Sequence, residues 1–254
     1  HNSVAYLHRF AEVTKHAYWT RLTYSGDPDL TPPPYDLLLS EDYWKRENDK
    51  IDLVAATVFD PSRASEVESV NTTHFVVADQ WGNIVSATVT LGNLFGSRIM
   101  AEGTGIWLNN SLAYCTFEPK GNPMDAHPGR RKLSSDAPSL VLRDGRPWVA
   151  LGTPGGHTIT QTVAQMIMNI IDFDMNIHEA IAAPRIAFNV PNHLDVEETI
   201  PVETRDALAA MGHQLRIRTL GNAHGLTIEY DESGRPVRFT GGSDPRGTGL
   251  AKGY

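Results

Sequence analysis

Thr72 offers the clearest chemistry in this chain. It stands in the tetrad Asn71-Thr72-Thr73-His74, directly ahead of the alternating run Phe75-Val76-Val77-Ala78. Cleavage before Thr72 would free an α-amine beside its hydroxyl, and that amine could be the base that activates the hydroxyl as a nucleophile. A threonine that opens a strand also fits simple β-propensity, so the tetrad by itself leaves both interpretations open.

Three other short segments carry groups that such chemistry needs. Gly155-Gly156 precedes a helical pattern beginning near His157, so two unhindered backbone N–H groups at a helix N-terminus could bind an oxyanion. Thr90 has the strand parity to place its hydroxyl beside Thr72, and Ser134-Ser135 adds two hydroxyls in a polar loop. On spacing alone, the glycines also fit a Pro-Gly turn, Thr90 a plain strand residue, and the serines an N-cap or turn.

These segments follow one another in an order that resembles the γ-glutamyltranspeptidase family. Thr72 matches the first residue of the family's small subunit, and the likeness runs through essentially all of residues 72 to 254. Upstream, residues 11 to 24 followed by Gly26-Asp27-Pro28-Asp29 look like the last part of the large subunit. The motifs after Thr72 are Leu108-Asn109-Asn110, Lys132-Leu133-Ser134-Ser135, Gly152-Thr153-Pro154-Gly155-Gly156 and Ser243-Asp244-Pro245-Arg246.

The resemblance implies a fold, a division of the chain and a set of site roles. The implied fold class is α+β, the four-layer αββα sandwich of N-terminal-nucleophile hydrolases. Residues 1–71 would be the tail of the large subunit with a linker to the processing site, and residues 72–254 the catalytic small-subunit region. The implied roles are nucleophile for Thr72, its hydrogen-bonding partner for Thr90, oxyanion donors for Gly155 and Gly156, and binding of the glutamyl α-carboxylate for Ser134 and Ser135.

The same resemblance implies an activity and its partners. We expect a self-processing threonine hydrolase or acyltransferase that takes γ-glutamyl or related amides such as glutathione, without a cofactor. The N-terminal large-subunit portion of the same precursor would be its partner in a heterodimer after cleavage. The family resemblance also gives a lean towards a periplasmic or extracellular location.

Three positions depart from the family's pattern. Gly92 stands where the family usually has Asn or Glu, and Ser111 and Tyr114 stand where it commonly has Gln or Glu and then Asp. Those family groups bind the α-amine of the substrate, and each such charge-assisted hydrogen bond contributes ~1.5 to 3 kcal/mol. We therefore keep open an acylase of the same fold for a non-glutamyl acyl group, similar to cephalosporin acylases. A catalytically inactive binding homologue is a further hypothesis.

Composition and charge argue against several other classes of protein. The chain has 254 residues, 41% of them hydrophobic, which is enough to bury a real core. A net charge of −8 without a run of Lys or Arg argues against a nucleic-acid surface. We do not predict a metal site. The chain has a single cysteine, Cys115, its histidines are scattered, and it lacks a His-Glu-x-x-His motif. No apolar stretch approaches the ~20 residues of a membrane span. Because the chain begins at His1 rather than Met, we expect its true N-terminus elsewhere.

Periodicity predicts the elements that must position these residues. Helical spacing covers residues 4–24, a segment starting near Ser40, the stripe from Ile159 to Ile170, and residues 177–183 and 201–211. Residues 51–71, with Pro61, Ser62 and Ser65, read as a linker to the processing site. Strands are predicted near 73–80, 84–92, 104–109, 138–143, 147–152, 213–218, 224–230 and 236–240, with Gly82-Asn83 and Asp144-Gly145 as hairpin turns.

Overall fold

The structure, a computed structural model, describes residues 1–59, 71–117 and 120–254. The predicted linker lies partly outside these ranges, because Pro61, Ser62 and Ser65 fall in the segment 60–70. Asn71 and Thr72, the residues on either side of the predicted processing site, both lie within the described ranges.

Helices form where apolar spacing predicts them, and polar side chains cap several of them. Ser3 and Ser40 accept hydrogen bonds from Tyr6 N and Tyr43 N at two helix N-termini, and Asn176 forms a capping box with Glu179. These contacts satisfy N–H groups that a helix cannot satisfy by itself. The helices are α1 (Val4–Tyr24), α2 (Tyr35–Leu38), α3 (Glu41–Asn48), α4 (Ile159–Ile171), α5 (Ile177–Ala182) and α6 (Val202–Ala210).

The strands form four sheets within the described residues. A hairpin joins β1 (Asn71–Ala78) and β2 (Ile84–Gly92), and a short ladder joins β3 (Met100–Ala101) and β4 (Ile106–Trp107). A three-stranded sheet contains β7 (Ile186–Asn189), β8 (His193–Val196) and β9 (Gln214–Ile217). The largest sheet contains β5 (Ser139–Arg143), β6 (Arg146–Gly152), β10 (His224–Tyr230) and β11 (Pro236–Ser243) in the order β11-β10-β6-β5.

Two of these sheets pack face to face. The β1–β2 hairpin contacts β6 and β10 of the four-stranded sheet, and α4 and α5 contact that sheet as well. Side chains alternate along β6, so Val149 and Leu151 pack with α4 and α5 in one core, while Gly152 faces His74 of the hairpin. The described residues thus stack helices, sheet and second sheet, which are three successive layers of an αββα sandwich.

The hairpin has an unusual distribution of polar and apolar side chains. Its inner face, towards the large sheet, carries Thr72, His74, Ser86, Thr88 and Thr90. Its outer face carries apolar side chains that are about half exposed: Phe75 46%, Val77 57%, Val85 57% and Val89 54%. A strand pair normally buries its apolar face, so this arrangement indicates a polar site between the sheets and an outer surface suited to a further layer.

A second core joins the start of the chain to its C-terminal part. Leu7, Phe10 and Ala11 of α1 pack with a group of buried aliphatic residues from the three-stranded sheet and α6. That group consists of Ile186, Leu194, Val196, Ile200 and Leu208. Phe59 stacks near Trp19, with ring centroids 5.3 Å apart, and its backbone exchanges hydrogen bonds with the Asn192 side chain. The chain leading to the segment 60–70 is therefore anchored on α1 and on the loop between β7 and β8.

Three details differ from the predicted elements. The strands β7 and β8 were not predicted, because almost every residue in them is buried and no alternation marks them. The strand expected over 104–109 is reduced to Ile106–Trp107. The helix expected from about His157 begins with a 3₁₀ turn, Gly156–Thr158, before α4 starts at Ile159. By contrast, the predicted Asp144-Gly145 turn is present, with φ of 52° and 74°.

Candidate active site

Thr72 lies at the start of the hairpin, where the strand register changes. A β-bulge between Asn71 and Thr72 moves the pairing from Asn71↔Gly92 to Thr72↔Thr90. This places both threonine side chains on the inner face of the hairpin. The Thr72 Oγ1 hydroxyl donates a 2.9 Å hydrogen bond to Thr90 Oγ1. The structure thus brings together the two hydroxyls that strand parity predicts to be neighbours.

The Thr90 hydroxyl also contacts the peptide bond that precedes Thr72. It donates a 2.9 Å hydrogen bond to the carbonyl oxygen of Asn71 and accepts one of 2.9 Å from Gly92 N–H. A donor on that oxygen withdraws electron density from the carbonyl carbon and stabilises negative charge that develops there. The same hydroxyl therefore contacts both the Thr72 hydroxyl and the carbonyl group of the peptide bond before Thr72.

The loop after β6 contributes Gly156 to the cleft that contains Thr72. Gly155 and Gly156 have φ of 145° and 57°, which other residues adopt only with strain. A Cβ on Gly155 would also meet Thr158 Oγ1 at 2.8 Å. Gly156 lines the cleft that contains Thr72, and Gly155 lies one residue behind it. A 3₁₀ turn starts at Gly156 and continues into α4, so Gly155 and Gly156 stand at a helical N-terminus beside this cleft.

The loop that carries Ser134 and Ser135 forms the opposite side of the cleft. The cleft is lined by Thr72, Thr90, Tyr114, Lys132, Ser134, Ser135, Asp136 and Gly156. Ser134 Oγ donates a 3.0 Å hydrogen bond to Asp136 Oδ2 and accepts one of 3.2 Å from Asp136 N–H. Ser135 is buried. Lys132 and Asp136 are therefore charged lining residues that motif comparison did not single out as site residues.

Asp27 anchors this loop and explains the upstream Gly26-Asp27-Pro28-Asp29 motif. Its carboxylate accepts a 2.7 Å hydrogen bond from Arg131 N–H and a 3.1 Å bond from Arg131 Nη1. The Arg131 N–H bond, with others from Asp29 and the Arg131 charge, lowers the pKa of Asp27. Asp29 pairs with Arg131 Nη2 at 2.6 Å. The motif thus fixes the residues immediately before Lys132.

The three departures from the family's pattern lie in different surroundings. Gly92 has a φ of 84°, and the Asn110 side chain occupies the place where a Cβ would stand. Ser111 is buried and begins a 3₁₀ turn that ends at Tyr114. Of these three residues, Tyr114 is the one that lines the cleft with Thr72. A larger side chain at position 92 would need a different backbone and a displaced Asn110.

His74 is a buried residue on the same face of the hairpin as Thr72, and sequence reasoning did not assign it to the site. Its Nδ1 lies 2.9 Å from Thr88 Oγ1, and its Nε2 lies 3.4 Å from Ser86 Oγ. Burial, helped by the charge of His224, lowers the pKa of His74 to about 4, so its ring is neutral near pH 7. Gly152 leaves room for this ring, because a Cβ there would overlap it. The parity of His74 with Thr72 is a signal that could have identified it.

The Ser243-Asp244-Pro245-Arg246 motif supports the glycine loop from behind. Asp244 forms a fully buried ion pair with Arg185 and accepts a 2.7 Å hydrogen bond from Ala223 N–H. Burial alone would raise the pKa of Asp244, but the Arg185 charge and the backbone hydrogen bonds lower it. The adjacent Asn222 N–H donates a 3.1 Å bond to Thr153 Oγ1, the second residue of the loop. The network thus connects Asp244 to the loop that contains Gly155 and Gly156.

A second buried polar cluster joins α1 to the turn after α6. His8 Nδ1 lies 2.8 Å from His213 Nε2, and Lys15 Nζ donates a 2.7 Å hydrogen bond to Glu12 Oε1. Potential ligand atoms of His8, Glu12 and His213 lie within 4.8 Å of one another. The Lys15 ammonium already pairs with Glu12 and also donates to Thr57 O at 3.1 Å. We therefore interpret the cluster as a hydrogen-bonded ion pair that holds the chain near Thr57 rather than as a metal centre.

The fold and the cleft define a class of protein. Two facing sheets, a threonine at the start of a central strand and an N–H loop beside it are the features of an N-terminal-nucleophile hydrolase. The family model "Gamma-glutamyltranspeptidase" matches residues 1–254. The chain belongs to the γ-glutamyltranspeptidase family.

Curated relatives include both hydrolases and acylases. The glutathione hydrolase proenzyme of Escherichia coli (strain K12) is 35% identical over 96% of this chain and 44% of its own length. The Acylase ACY 1 proenzyme of Pseudomonas sp. (strain SE83) is 34% identical over 93% of this chain and 44% of its own length. The chain therefore spans less than half the length of these relatives.

Solved structures confirm the predicted fold class. A mutant of Helicobacter pylori γ-glutamyltranspeptidase matches 69% of this chain and 100% of that chain, with a TM-score of 0.64 and 35% identity. The cephalosporin acylase from Bacillus halodurans matches 96% of this chain and 44% of that chain, with a TM-score of 0.83 and 26% identity. Among the described residues, no helix has the length and apolar character needed to span a bilayer.

Proposed function

We propose that the complete protein is a self-processing amide hydrolase and acyltransferase whose acyl groups are γ-glutamyl or related to it, as in glutathione. The observation that carries the proposal is the hydrogen-bonded series from Thr72 Oγ1 to Thr90 Oγ1 to the Asn71 carbonyl oxygen. These contacts support the proposal because they join the proposed nucleophile, its partner and the carbonyl to be attacked, and Thr72 and Thr90 line one cleft with Gly156. The family membership and the name of the E. coli relative support the substrate class.

The first stage of the proposed mechanism is cleavage before Thr72. The Thr72 hydroxyl oxygen attacks the Asn71 carbonyl carbon, its proton passes to the Thr72 nitrogen, and the C–N bond breaks to leave an ester. Thr90 donates to the oxygen that becomes negatively charged. Water then hydrolyses the ester and releases Asn71 as a carboxylate and Thr72 with a free α-amine.

The second stage uses the same hydroxyl on an external amide. The Thr72 α-amine takes the proton of the hydroxyl, which attacks the substrate carbonyl to form an acyl-enzyme and release the amine product. Backbone N–H groups at Gly155 and Gly156 stabilise the oxyanion, and such a donor is worth several kcal/mol. Water or an amine then accepts the acyl group, so hydrolysis and transfer differ only in this last step.

Mass spectrometry and N-terminal sequencing of the complete protein test the proposal. Wild-type protein should yield a chain that starts at Thr72 and should cleave an amide, whereas Thr72→Ala should stay whole and inactive. Thr72→Ser is the matched control, because it keeps a hydroxyl and should still be processed. Cleavage of purified Thr72→Ala protein at the same bond would show that the reaction does not use this hydroxyl.

An acylase for a non-glutamyl acyl group is the second candidate function. Tyr114 lines the cleft at the position where the family commonly has an aspartate, and the carboxylate in the described lining, Asp136, already accepts a hydrogen bond from Ser134. Acylases are among the relatives. The α-amine of a γ-glutamyl group would lose its hydration there with poor compensation. Glutaryl amides, which keep a carboxylate but lack the amine, should then be cut as well as γ-glutamyl amides or better. A preference of about tenfold in kcat/KM for γ-glutamyl amides, ~1.4 kcal/mol, would contradict this candidate.

We also propose that an N-terminal portion of the same precursor completes the sandwich. The apolar outer face of the hairpin, formed by Phe75, Val77, Val85 and Val89, is the surface that such a layer would cover. An apolar groove between α1 and α4, lined in part by Phe10 and Met168, is a second contact surface. The relatives are more than twice as long as this chain, which supports a partner of that size.

A further inference from the structure

The cleft contains two charged side chains that the proposed mechanism does not use. Lys132 and Asp136 belong to the loop that carries Ser134 and Ser135, and both line the cleft with Thr72. The Asp136 carboxylate accepts a 3.0 Å hydrogen bond from Ser134 Oγ. In the part of the chain that the structure describes, no carboxylate forms an ion pair with Lys132. Lys132 thus lines the cleft without forming an ion pair with a carboxylate of this loop.

Lys132 differs in position from the two residues that precede it. It follows two arginines, and both are held by acidic or carbonyl groups outside the cleft. Arg130 donates a 2.8 Å hydrogen bond to Asp125 O, and Arg131 pairs with Asp27 and Asp29 at 3.1 and 2.6 Å. Of this basic run, Lys132 is the residue that lines the cleft.

Tyr114 fixes where the Lys132 charge lies. The Lys132 Nζ stands 5.3 Å from the centroid of the Tyr114 ring, within the range of a cation–π interaction. The Lys132 ammonium would attract a carboxylate in the cleft and repel an ammonium.

We infer that Lys132 selects acyl groups that end in a carboxylate and carry no ammonium, as in the monoamides of dicarboxylic acids such as glutaric acid. The inference rests on the proposed amide-hydrolase function of the same cleft. The Tyr114 ring provides an apolar surface for the methylene chain, and Lys132 provides the charge at its far end. Asp136 accepts a hydrogen bond from Ser134 and, among the described residues, forms no ion pair with Lys132.

The test uses the complete processed protein and three p-nitroanilides with the same carbon chain. These are the glutaryl substrate, its neutral 4-carbamoylbutanoyl analogue and the γ-glutamyl substrate. Lys132→Met should lower kcat/KM on the glutaryl substrate by about ten- to a hundredfold, the usual range for a lost charge-assisted hydrogen bond. The neutral analogue should change by less than about twofold, because it has no charge for Lys132 to bind. Lys132→Arg should retain most of the glutaryl activity. Lys45→Met, which removes the same charge from an exposed site on α3, is the control.

The outcomes separate this inference from the proposed function. An equal loss on the glutaryl and neutral substrates would show that Lys132 only supports the structure of the loop and would overturn the inference. A second result would also overturn the inference. If Lys132→Met leaves the ratio of kcat/KM on the glutaryl and γ-glutamyl substrates unchanged, and Asp136→Asn selectively lowers kcat/KM on the γ-glutamyl substrate, the ammonium site belongs to Asp136. If wild-type protein, processed at Thr72, cleaves none of the three amides, the proposed function itself fails.

Discussion

Thr90 contributes chemistry that its residue type does not reveal. Its hydroxyl accepts a hydrogen bond from Thr72 and donates one to the Asn71 carbonyl, so in the proposed mechanism it contacts both the attacking group and the group that is attacked. Once Asn71 has left, its donor becomes available for another acceptor in the cleft. A valine has nearly the same shape but offers neither function.

Thr90→Val should therefore slow both stages. We expect self-cleavage to slow by roughly a hundredfold, the effect typical of losing one oxyanion donor. In protein that has been processed, kcat should fall far more than KM rises, because the lost contact is to the nucleophile. Time courses of chain cleavage and steady-state kinetics measure the two effects. Thr90→Ser keeps the hydroxyl and is the control, and a change confined to KM would reassign Thr90 to substrate binding.

At the level of elements, local patterns predict most of the structure but not its long-range contacts. Alternation predicts β1 and β2, and a helical stripe predicts α4, because each of these elements has one buried face. The strands β7 and β8 are buried on nearly every residue, so periodicity does not mark them. The motifs Lys132-Leu133-Ser134-Ser135 and Gly155-Gly156 could be recognised from order and spacing. The position of Lys132 over Tyr114 depends on contacts between distant residues, which spacing does not reveal.

The element that most limits independent folding of residues 72–254 is α1. It supplies Leu7, Phe10 and Ala11 to the core shared with β7, β8 and α6. A fragment of residues 72–254 expressed alone should aggregate or be inactive, because this core and the outer face of the hairpin would both be exposed. Size-exclusion chromatography and an amidase assay would show it. A soluble, active fragment would refute the idea that residues 1–71 are needed.

A graded version of the same prediction uses a single substitution in α1. Leu7 is fully buried, so Leu7→Ala in the complete protein should lower the free energy of unfolding by about 2 to 5 kcal/mol. Asp206→Ala, at an exposed position on α6, which shares this core, should have an effect within about 0.5 kcal/mol. Urea unfolding of the two variants measures the difference. Equal effects would show that Leu7 contributes no more to stability than an exposed position does.

At the level of the whole molecule, two separate buried polar regions each contain a neutral histidine. His74 lies between the sheets, where burial and the charge of His224 lower its pKa to about 4. His213 lies in the cluster with His8, Glu12 and Lys15, where burial and the Lys15 charge lower its pKa to about 4. His74 lies on the inner face of the hairpin, and His213 lies in the cluster that contacts the chain near Thr57. Acid should therefore affect both parts of the molecule over the same pH range.

We expect the protein to lose stability between about pH 6.5 and pH 4. In the unfolded chain a histidine binds its proton near pH 6.5, whereas these two bind it in the folded protein only near pH 4, so lowering the pH through this window favours unfolding. Each histidine should contribute a slope of up to about 1.4 kcal/mol per pH unit inside the window and none at higher pH. Urea midpoints at pH 7, 6 and 5 measure the slope for wild-type protein. In His213→Asn the slope should fall by the contribution of one proton, although stability at pH 7 also falls because the contact to His8 is lost. Midpoints that do not change between pH 7 and pH 5 would show that the two rings take up protons in the folded protein as readily as in the unfolded chain.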